Sequence, residues 1–138
     1  MSGKKAFLDT NVFIYLIEEH PLYLRKIDDL LRLLERDKYE IITSTLTVGE
    51  ILTKPYKENR LDLIRTYQEF FEEMVLIDLN NDIASLFAKK RAQCGIKTPD
   101  AVQIASAIYA KADLFVTNDV RLQQCRQKGF EVLLLGDV

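Results

Sequence analysis

Four acids that lie far apart in the sequence each stand where an apolar segment gives way to a polar turn or a helix start. They are Asp9, Glu50, Asp100 and Asp119. In an open parallel sheet, the carboxyl ends of the strands and the amino ends of the following helices share one edge, where such folds place their chemistry. Four carboxylates gathered there would repel one another, and a divalent cation removes that repulsion. All-oxygen ligands favour Mg²⁺ or Mn²⁺ over zinc, and such a site binds phosphate oxygens and activates water.

Each of these acids also has a purely structural explanation. Asp100 and Asp119 suit helix starts, because a carboxylate caps free N–H groups and complements the positive end of a helix. Glu50 could be a surface residue, since a chain with 21 acidic residues places some on any edge. Asp78 follows another expected strand, and we expect it to lie to one side of the site. The functional interpretation therefore depends on the fold that brings the four acids together.

Strands and helices alternate along the whole chain. Nearly continuous apolar runs predict strands over 6–8, 40–43, 75–77, 114–117 and 130–135. Periodic apolar positions predict helices over 12–19, 22–36, 45–53, 60–73, 82–94 and 120–128, and a further helix that starts at Thr98. Asn11, Ser44, Asn59, Thr98 and Asp119 are the candidate N-caps. This alternation predicts an α/β domain whose parallel sheet is covered on both faces.

Length and composition limit the classes of protein that the chain can belong to. Its 138 residues are enough for one domain with a real core, and 48% of them are hydrophobic, which is typical of a globular chain. The net charge of −2 provides no global basic field, so nucleic-acid binding would need a local basic patch or a metal ion.

The same totals bear on the expected compartment. Cys94 and Cys125 are far apart in sequence and match no zinc spacing, which favours a reducing, cytoplasmic location. The stretch 1–5 leads into a strand, so we predict no signal peptide. No apolar run approaches the roughly 20 residues that a membrane span requires, and we expect no membrane association.

Four short motifs occur in order along nearly the whole chain. They are Phe7-Leu8-Asp9-Thr10-Asn11, Ser44-x5-Glu50, Thr98-Pro99-Asp100-Ala101 and Val116-Thr117-Asn118-Asp119. Their order and spacing resemble the PIN-domain family, and within it the VapC-type toxins of toxin–antitoxin modules. The resemblance implies one domain over 1–138, a PIN-like three-layer α/β/α sandwich with a central parallel sheet of about five strands in the order 3-2-1-4-5. It also implies magnesium-dependent endoribonuclease activity, with Mn²⁺ as a substitute for Mg²⁺.

The resemblance further implies roles for individual residues. The catalytic residues and metal ligands match the family's acidic quartet, Asp9, Glu50, Asp100 and Asp119. If only two acids contact the metal, we expect Asp9 and Asp100. The supporting polar positions match Asn11, Thr117 and Asn118. Gly49 departs from the expected pattern, since Gly in a helix costs about 1 kcal/mol relative to Ala and loosens the placement of Glu50.

Basic residues offer possible contacts to RNA phosphates. One group, Lys89, Lys90 and Arg91, lies near the predicted end of a helix, where a favourable interaction with the helix dipole is the preferred explanation. The second candidate group consists of sparse cations in or beside a loop, Lys54, Lys57 and Arg60.

Two further side chains bear on the chemistry. Arg121 is close enough in sequence to pair with Asp119. His20 has no partner histidine, which argues against a ribonuclease that uses a histidine pair.

Partners and rival functions remain open at this stage. Leu16, Ile17, Leu22 and Leu24, together with Tyr67, Phe70 and Phe71, supply more apolar surface than single helix faces need. The resemblance implies a homodimer and a cognate antitoxin. The nearest rival is a PIN nuclease of RNA maturation or decay without an antitoxin. An aspartate-nucleophile phosphatase usually has a second Asp where this chain has Asn11, and a non-catalytic RNA- or protein-binding module would not need the quartet.

Overall fold

Five parallel strands form one sheet in the order β3-β2-β1-β4-β5, as predicted. The strands are β1 (Lys5–Leu8), β2 (Glu40–Ser44), β3 (Val75–Ile77), β4 (Leu114–Thr117) and β5 (Glu131–Leu134). The computed structural model describes residues 3–138. Met1 and Ser2, part of the segment in which we predict no signal peptide, lie outside the described residues.

Helices cover both faces of this sheet. The α-helices are α1 (Thr10–Ile17), α2 (Leu24–Arg36), α3 (Thr45–Lys57), α4 (Leu61–Glu72), α5 (Asn81–Cys94) and α6 (Thr98–Tyr109). Two 3₁₀ helices follow the last strands, Val120–Cys125 and Leu135–Asp137. Within residues 3–138, no helix has the length and apolar character needed to cross a bilayer.

The central strand β1 divides the core into two layers. Ala6 and Leu8 pack on one side, in a cluster with buried residues of α1 to α4 such as Ile27 and Tyr67. Phe7 points to the other side and stacks on Phe115 of β4, with ring centroids 5.3 Å apart. Because both faces are covered, β1 is apolar at consecutive positions instead of alternating. This arrangement is the predicted three-layer α/β/α sandwich.

The start of α1 differs from the prediction. Asp9, not Asn11, is its N-cap, and the Asp9 side chain accepts a hydrogen bond from the Thr10 backbone N–H. A carboxylate caps as well as an amide, and the strand ends directly at Asp9, so the helix starts without an intervening turn. Asn11 instead lies in the first turn of α1.

Three other boundaries also differ. Helix α3 continues through Pro55 to Lys57, because Pro55 lies in the last turn and is buried on the same side as Ile51. Asn59 does not cap α4: its φ is +53°, and Arg60 is the N-cap. Lys97 replaces Thr98 as the N-cap of α6, and its side chain makes no capping hydrogen bond.

The predicted helix 120–128 is also wrong in type and length. The segment forms the 3₁₀ helix Val120–Cys125, and Gln127 then bridges to Phe130 in antiparallel pairing. Gly129, with a φ of +78°, supplies the left-handed residue that this tight turn requires. The chain turns into β5 there, which leaves no room for a longer helix.

Candidate active site

Asp9 lies at the carboxyl end of the central strand and is 8% exposed. Its backbone N–H donates to the Val116 carbonyl of β4 at 2.9 Å, which extends the β1–β4 pairing by one residue. Its Oδ1 accepts from the Thr10 N–H at 2.8 Å, and its Oδ2 accepts from the Thr117 hydroxyl at 2.7 Å. The carboxylate is thus fixed by the next residue and by the neighbouring strand.

The pKa of Asp9 is raised from 3.8 to about 6. Burial is the main cause, and the negative charges of Asp100 and Glu50 raise the pKa further. The hydrogen bonds from Thr117 and Thr10 act in the opposite direction, because they favour the charged form. The buried acid is therefore an electrostatic neighbour of two of the other predicted acids.

Glu50 reaches this edge from the second turn of α3. Its side chain is exposed, and its Oε1 accepts a hydrogen bond from the Thr10 hydroxyl at 2.7 Å. The preceding Gly49 faces open space, since a Cβ built there would have no heavy atom within 4 Å. Glu50 is therefore held beside Asp9 through Thr10, the residue that starts α1.

Asp100 occupies the first turn of α6 and is partly buried. Its pKa is raised, first by burial and then by the charge of Asp119, while Arg121 and Lys97 lower it. The charge of Asp100 raises the pKa of Asp9, and the charge of Asp119 raises the pKa of Asp100. Asp100 is therefore an electrostatic neighbour of both acids.

Asp119 is paired with a cation. Its two oxygens accept from Arg121 Nε at 3.0 Å and from Arg121 Nη2 at 2.5 Å, which is the predicted ion pair. It also caps the following 3₁₀ helix by accepting from the Arg121 N–H. This pairing lowers the pKa of the Asp119 carboxyl, because the hydrogen bonds and positive charge of Arg121 outweigh the effect of burial, which raises it.

The fold thus brings the four predicted acids to one edge as a chain of electrostatic neighbours. Their spacing is open: across residues 3–138, no three His, Cys, Asp or Glu side chains are gathered closely enough to enclose a metal ion. Asp78, in contrast, follows the edge strand β3, two strands away from β1.

The donor chemistry of this edge nevertheless fits a divalent cation. The Oδ1 atom of Asn11, two residues after Asp9, is buried and has no hydrogen-bond partner within the described part of the chain. The charge on Asp9 is opposed by burial and by its acidic neighbours. A cation with oxygen ligands would offset the charge on Asp9, and Asp9, Asp100 and Glu50 would be the residues to hold it.

Two of the predicted supporting residues have different surroundings. The Thr117 hydroxyl donates to Asp9 and accepts from the Asp119 N–H at 3.1 Å, so it connects two acids. The Asn118 side chain turns away from them and donates to the Tyr15 hydroxyl at 3.2 Å. Thr117 therefore belongs to the acidic edge, whereas Asn118 fastens the loop after β4 to α1.

Two of the predicted basic residues make hydrogen bonds within the protein. Lys90 Nζ donates to Gln127 Oε1 at 2.7 Å, and Arg91 Nε donates to the Ile96 carbonyl at 3.3 Å. Lys89 and Lys57 are exposed. Lys54 lines a cavity of about 210 Å³ together with Glu50.

Three residues of this edge were missed by the sequence interpretation as functional candidates. Thr10 hydrogen-bonds Glu50, and buried Gln103 hydrogen-bonds Thr10 at 3.3 Å. Lys97 lowers the pKa values of Asp100 and Asp119 through its positive charge. A signal for Gln103 exists in the sequence: it is a polar residue in an otherwise apolar helix segment, three positions after Asp100.

His20 lies in the loop between α1 and α2. Its Nδ1 accepts from the Leu22 N–H at 3.1 Å, and its ring lies against the rings of Tyr15 and Tyr23. It therefore organises the turn between α1 and α2.

The strand order and the acids at the carboxyl edge of the sheet define a three-layer α/β/α domain of the PIN type. Residues 6–128 match the model of the PIN domain, and the chain belongs to that family. PIN domains are nucleases, and they generally use divalent metals. No curated protein matches the chain in sequence.

Solved structures share this fold over nearly the full chain. One is VapBC2 from Rickettsia felis bound to a DNA fragment from their promoter, with a TM-score of 0.75, 19% identity, and coverage of 94% of this chain and 97% of that chain. A toxin–antitoxin complex from Klebsiella pneumoniae has a TM-score of 0.71, 19% identity, and coverage of 95% and 98%. DNA-bound VapBC from Salmonella typhimurium has a TM-score of 0.66, 21% identity, and coverage of 96% and 98%.

Proposed function

We propose that this chain is a magnesium-dependent endoribonuclease and the toxin of a VapBC-type toxin–antitoxin pair. The observation that carries the proposal is the electrostatic contact of buried Asp9 with Asp100 and Glu50 at the carboxyl edge of the sheet. A buried carboxylate beside two others is unfavourable without a cation, so the arrangement favours a role in metal binding over a purely structural one.

Asp9, Asp100 and Glu50 are the proposed metal ligands, and Asp119 completes the catalytic group. When bound, Mg²⁺ or Mn²⁺ would neutralise phosphate charge and lower the pKa of a water molecule. Thr117 holds Asp9 in place through its hydroxyl, and Thr10 does the same for Glu50. Arg121 holds Asp119 in an ion pair that lowers the pKa of its carboxyl. The same guanidinium is exposed, so it is accessible to a phosphate of the substrate.

The RNA strand is proposed to enter along this edge between two sets of cations. Lys54 is beside Glu50, and Lys97 is beside Asp100 and Asp119. Lys57 and Lys89 are exposed and would contact phosphates further from the acids. Because the chain has a net charge of −2, substrate affinity depends on these local charges and on the metal ion.

The antitoxin partner is proposed from the solved toxin–antitoxin complexes that share the fold. The chain also has an apolar cavity of about 380 Å³ between the sheet and its helices, where Phe13, Leu16 and Phe70 are among the lining residues. Such a groove suits the apolar face of a partner helix. A homodimer is proposed on separate grounds, because Leu22 and Leu61 are 75% and 73% exposed.

A cleavage assay on a long single-stranded RNA tests the nuclease proposal. We expect fragments with Mg²⁺ or Mn²⁺ and none in EDTA. Asp100→Asn should lower the cleavage rate by at least 100-fold, because it removes a ligand charge that the metal needs. Asp78→Asn is the matched control, since this acid lies two strands from β1, and it should keep the rate of the parent. Equal cleavage by all three proteins would contradict the proposal.

A further inference from the structure

Gln103 is a buried amide that lies one helical turn after Asp100 on α6 and is 2% exposed. Its Oε1 accepts from the Ser44 hydroxyl. Its Nε2 donates to Thr47 Oγ1 at 2.7 Å and to Thr10 Oγ1 at 3.3 Å. One side chain therefore joins α6 to the amino ends of both α1 and α3.

The Thr10 hydroxyl connects Gln103 to Glu50 through two hydrogen bonds. Its oxygen accepts from Gln103 Nε2, and its proton is donated to Glu50 Oε1 at 2.7 Å. A hydroxyl has a single proton and two lone pairs. When an N–H group donates to one lone pair of the hydroxyl oxygen, the hydroxyl proton points to a different partner, which acts as its acceptor. The contact from Gln103 is thus compatible with donation from Thr10 to Glu50 and prevents donation from Thr10 back to Gln103.

Glu50 depends on such a contact because little else confines it. Its side chain is exposed on α3, and the residue before it, Gly49, has open space where a Cβ would stand. A long carboxylate side chain at such a position otherwise samples several rotamers. The hydrogen bond from Thr10 selects the rotamers that face Asp9.

We propose that Gln103 is a positioning residue that acts through Thr10 to hold the Glu50 carboxylate at the acidic edge. The role deepens the proposed nuclease function and rests on it for the activity part of the test. Removing a residue that orients a metal ligand by hydrogen bonding typically lowers metal affinity or activity by about 10–100-fold, although that residue does not contact the substrate.

Ser106 provides a matched control on the same helix. It lies one turn after Gln103 and is 1% exposed, and within residues 3–138 its hydroxyl has no hydrogen-bond partner. Ser106→Ala therefore makes a buried polar position of α6 apolar without touching the contacts to Thr10 and Glu50.

The direct test is the carbon-13 NMR resonance of the Glu50 side-chain carboxylate, measured in EDTA and assigned by its loss in Glu50→Gln. We expect Thr10→Val and Gln103→Met to shift this resonance in the same direction, and Ser106→Ala to leave it in place. In a Thr10→Val background, Gln103→Met should produce no further shift. If Gln103→Met does not fold, Gln103→Asn takes its place, because the shorter amide cannot span the same partners.

Two results would overturn the proposal. One is a Glu50 resonance that Gln103→Met leaves unchanged in a folded protein. The other is a shift that persists in the Thr10→Val background, since the effect would then not pass through Thr10. Both readings are made without metal or RNA, so they are independent of whether the chain is a nuclease.

Cleavage kinetics supply the second readout. Gln103→Met should lower kcat by about tenfold in the parent background and by less than twofold in the Glu50→Gln background. The same tenfold loss in both backgrounds would contradict the proposal, because Gln103 would then act independently of Glu50. If the parent itself does not cleave RNA, the nuclease proposal fails, and the NMR result alone decides the role of Gln103.

Discussion

At the scale of single residues, the buried carboxyl of Asp9 makes the stability of the protein depend on pH. Its pKa in the folded protein is about 6, against 3.8 for an ordinary Asp, because it is buried next to Asp100 and Glu50. The folded state therefore binds more protons than the unfolded state between about pH 4 and pH 6. Between these pH values the free energy of unfolding falls as pH rises. Above about pH 6 the Asp9 carboxyl is charged in the folded protein, and its burial destabilises the folded state to the full extent.

Asp9→Asn tests this penalty. The variant is uncharged at every pH, so in EDTA at pH 7 it should be more stable than the parent, by on the order of 3 kcal/mol at most. The difference should shrink towards pH 4, where Asp9 of the parent is protonated. Urea unfolding of both proteins from pH 4 to pH 8 measures it. A difference that stays constant with pH would show that the charge of Asp9 is not the cause.

Asp119→Asn separates the roles of the fourth acid. Asn caps a helix about as well as Asp, and the Arg121 side chain in the lost ion pair is 62% exposed, so the melting temperature in EDTA should change little. RNA cleavage with Mg²⁺ should fall by at least tenfold, because one catalytic charge is missing. Normal cleavage by a variant that melts at a clearly lower temperature would instead assign Asp119 a structural role.

At the scale of elements, the apolar runs and helix starts were sufficient to predict the five strands and their alternation with helices. The sheet order came from the resemblance to the PIN family, and the structure confirms it. Helix ends were harder to predict, because several residues compete for each cap. Asn11 and Asp9 are both good caps, and only the pairing of β1 with β4, which extends to Asp9, decides between them.

The contacts at the candidate site were predictable only in part. The sequence shows where acids follow strands, so it predicts which residues share an edge. It cannot show that Thr10 links Gln103 to Glu50, since these residues are far apart in sequence and meet only after α6 packs against α3. Lys97 was missed for the same reason, because its influence on Asp119 depends on the turn that starts α6.

Gly49→Ala tests the glycine inside α3. A Cβ at this position meets no heavy atom within 4 Å, and Ala is the better helix former. The variant should be more stable by about 0.5–1 kcal/mol, which corresponds to a rise of a few degrees in melting temperature. Thermal unfolding followed by circular dichroism measures the change. A lower melting temperature would mean that α3 needs the flexibility of Gly49.

At the scale of the whole molecule, we predict a homodimer. Leu22 and Leu61 are large apolar side chains that remain exposed in the monomer, and an interface would bury them. Light scattering at micromolar concentrations should give about twice the monomer mass of 16.0 kDa. Leu22→Lys should weaken the dimer if Leu22 lies at its centre. A mass of one chain for the parent at all concentrations would exclude the dimer.

The central claim is that the acidic edge uses a metal ion and water to hydrolyse RNA. Its most direct test is the chemistry of the RNA ends after cleavage in Mg²⁺. The sole histidine of the chain, His20, is engaged with Leu22 and two tyrosine rings, so attack by water is expected in place of attack by the RNA 2′-hydroxyl. The account predicts 5′-phosphate and 3′-hydroxyl ends, formed with Mg²⁺ and absent in EDTA. Products with 2′,3′-cyclic phosphate, or fragments that form equally well in EDTA, would contradict it.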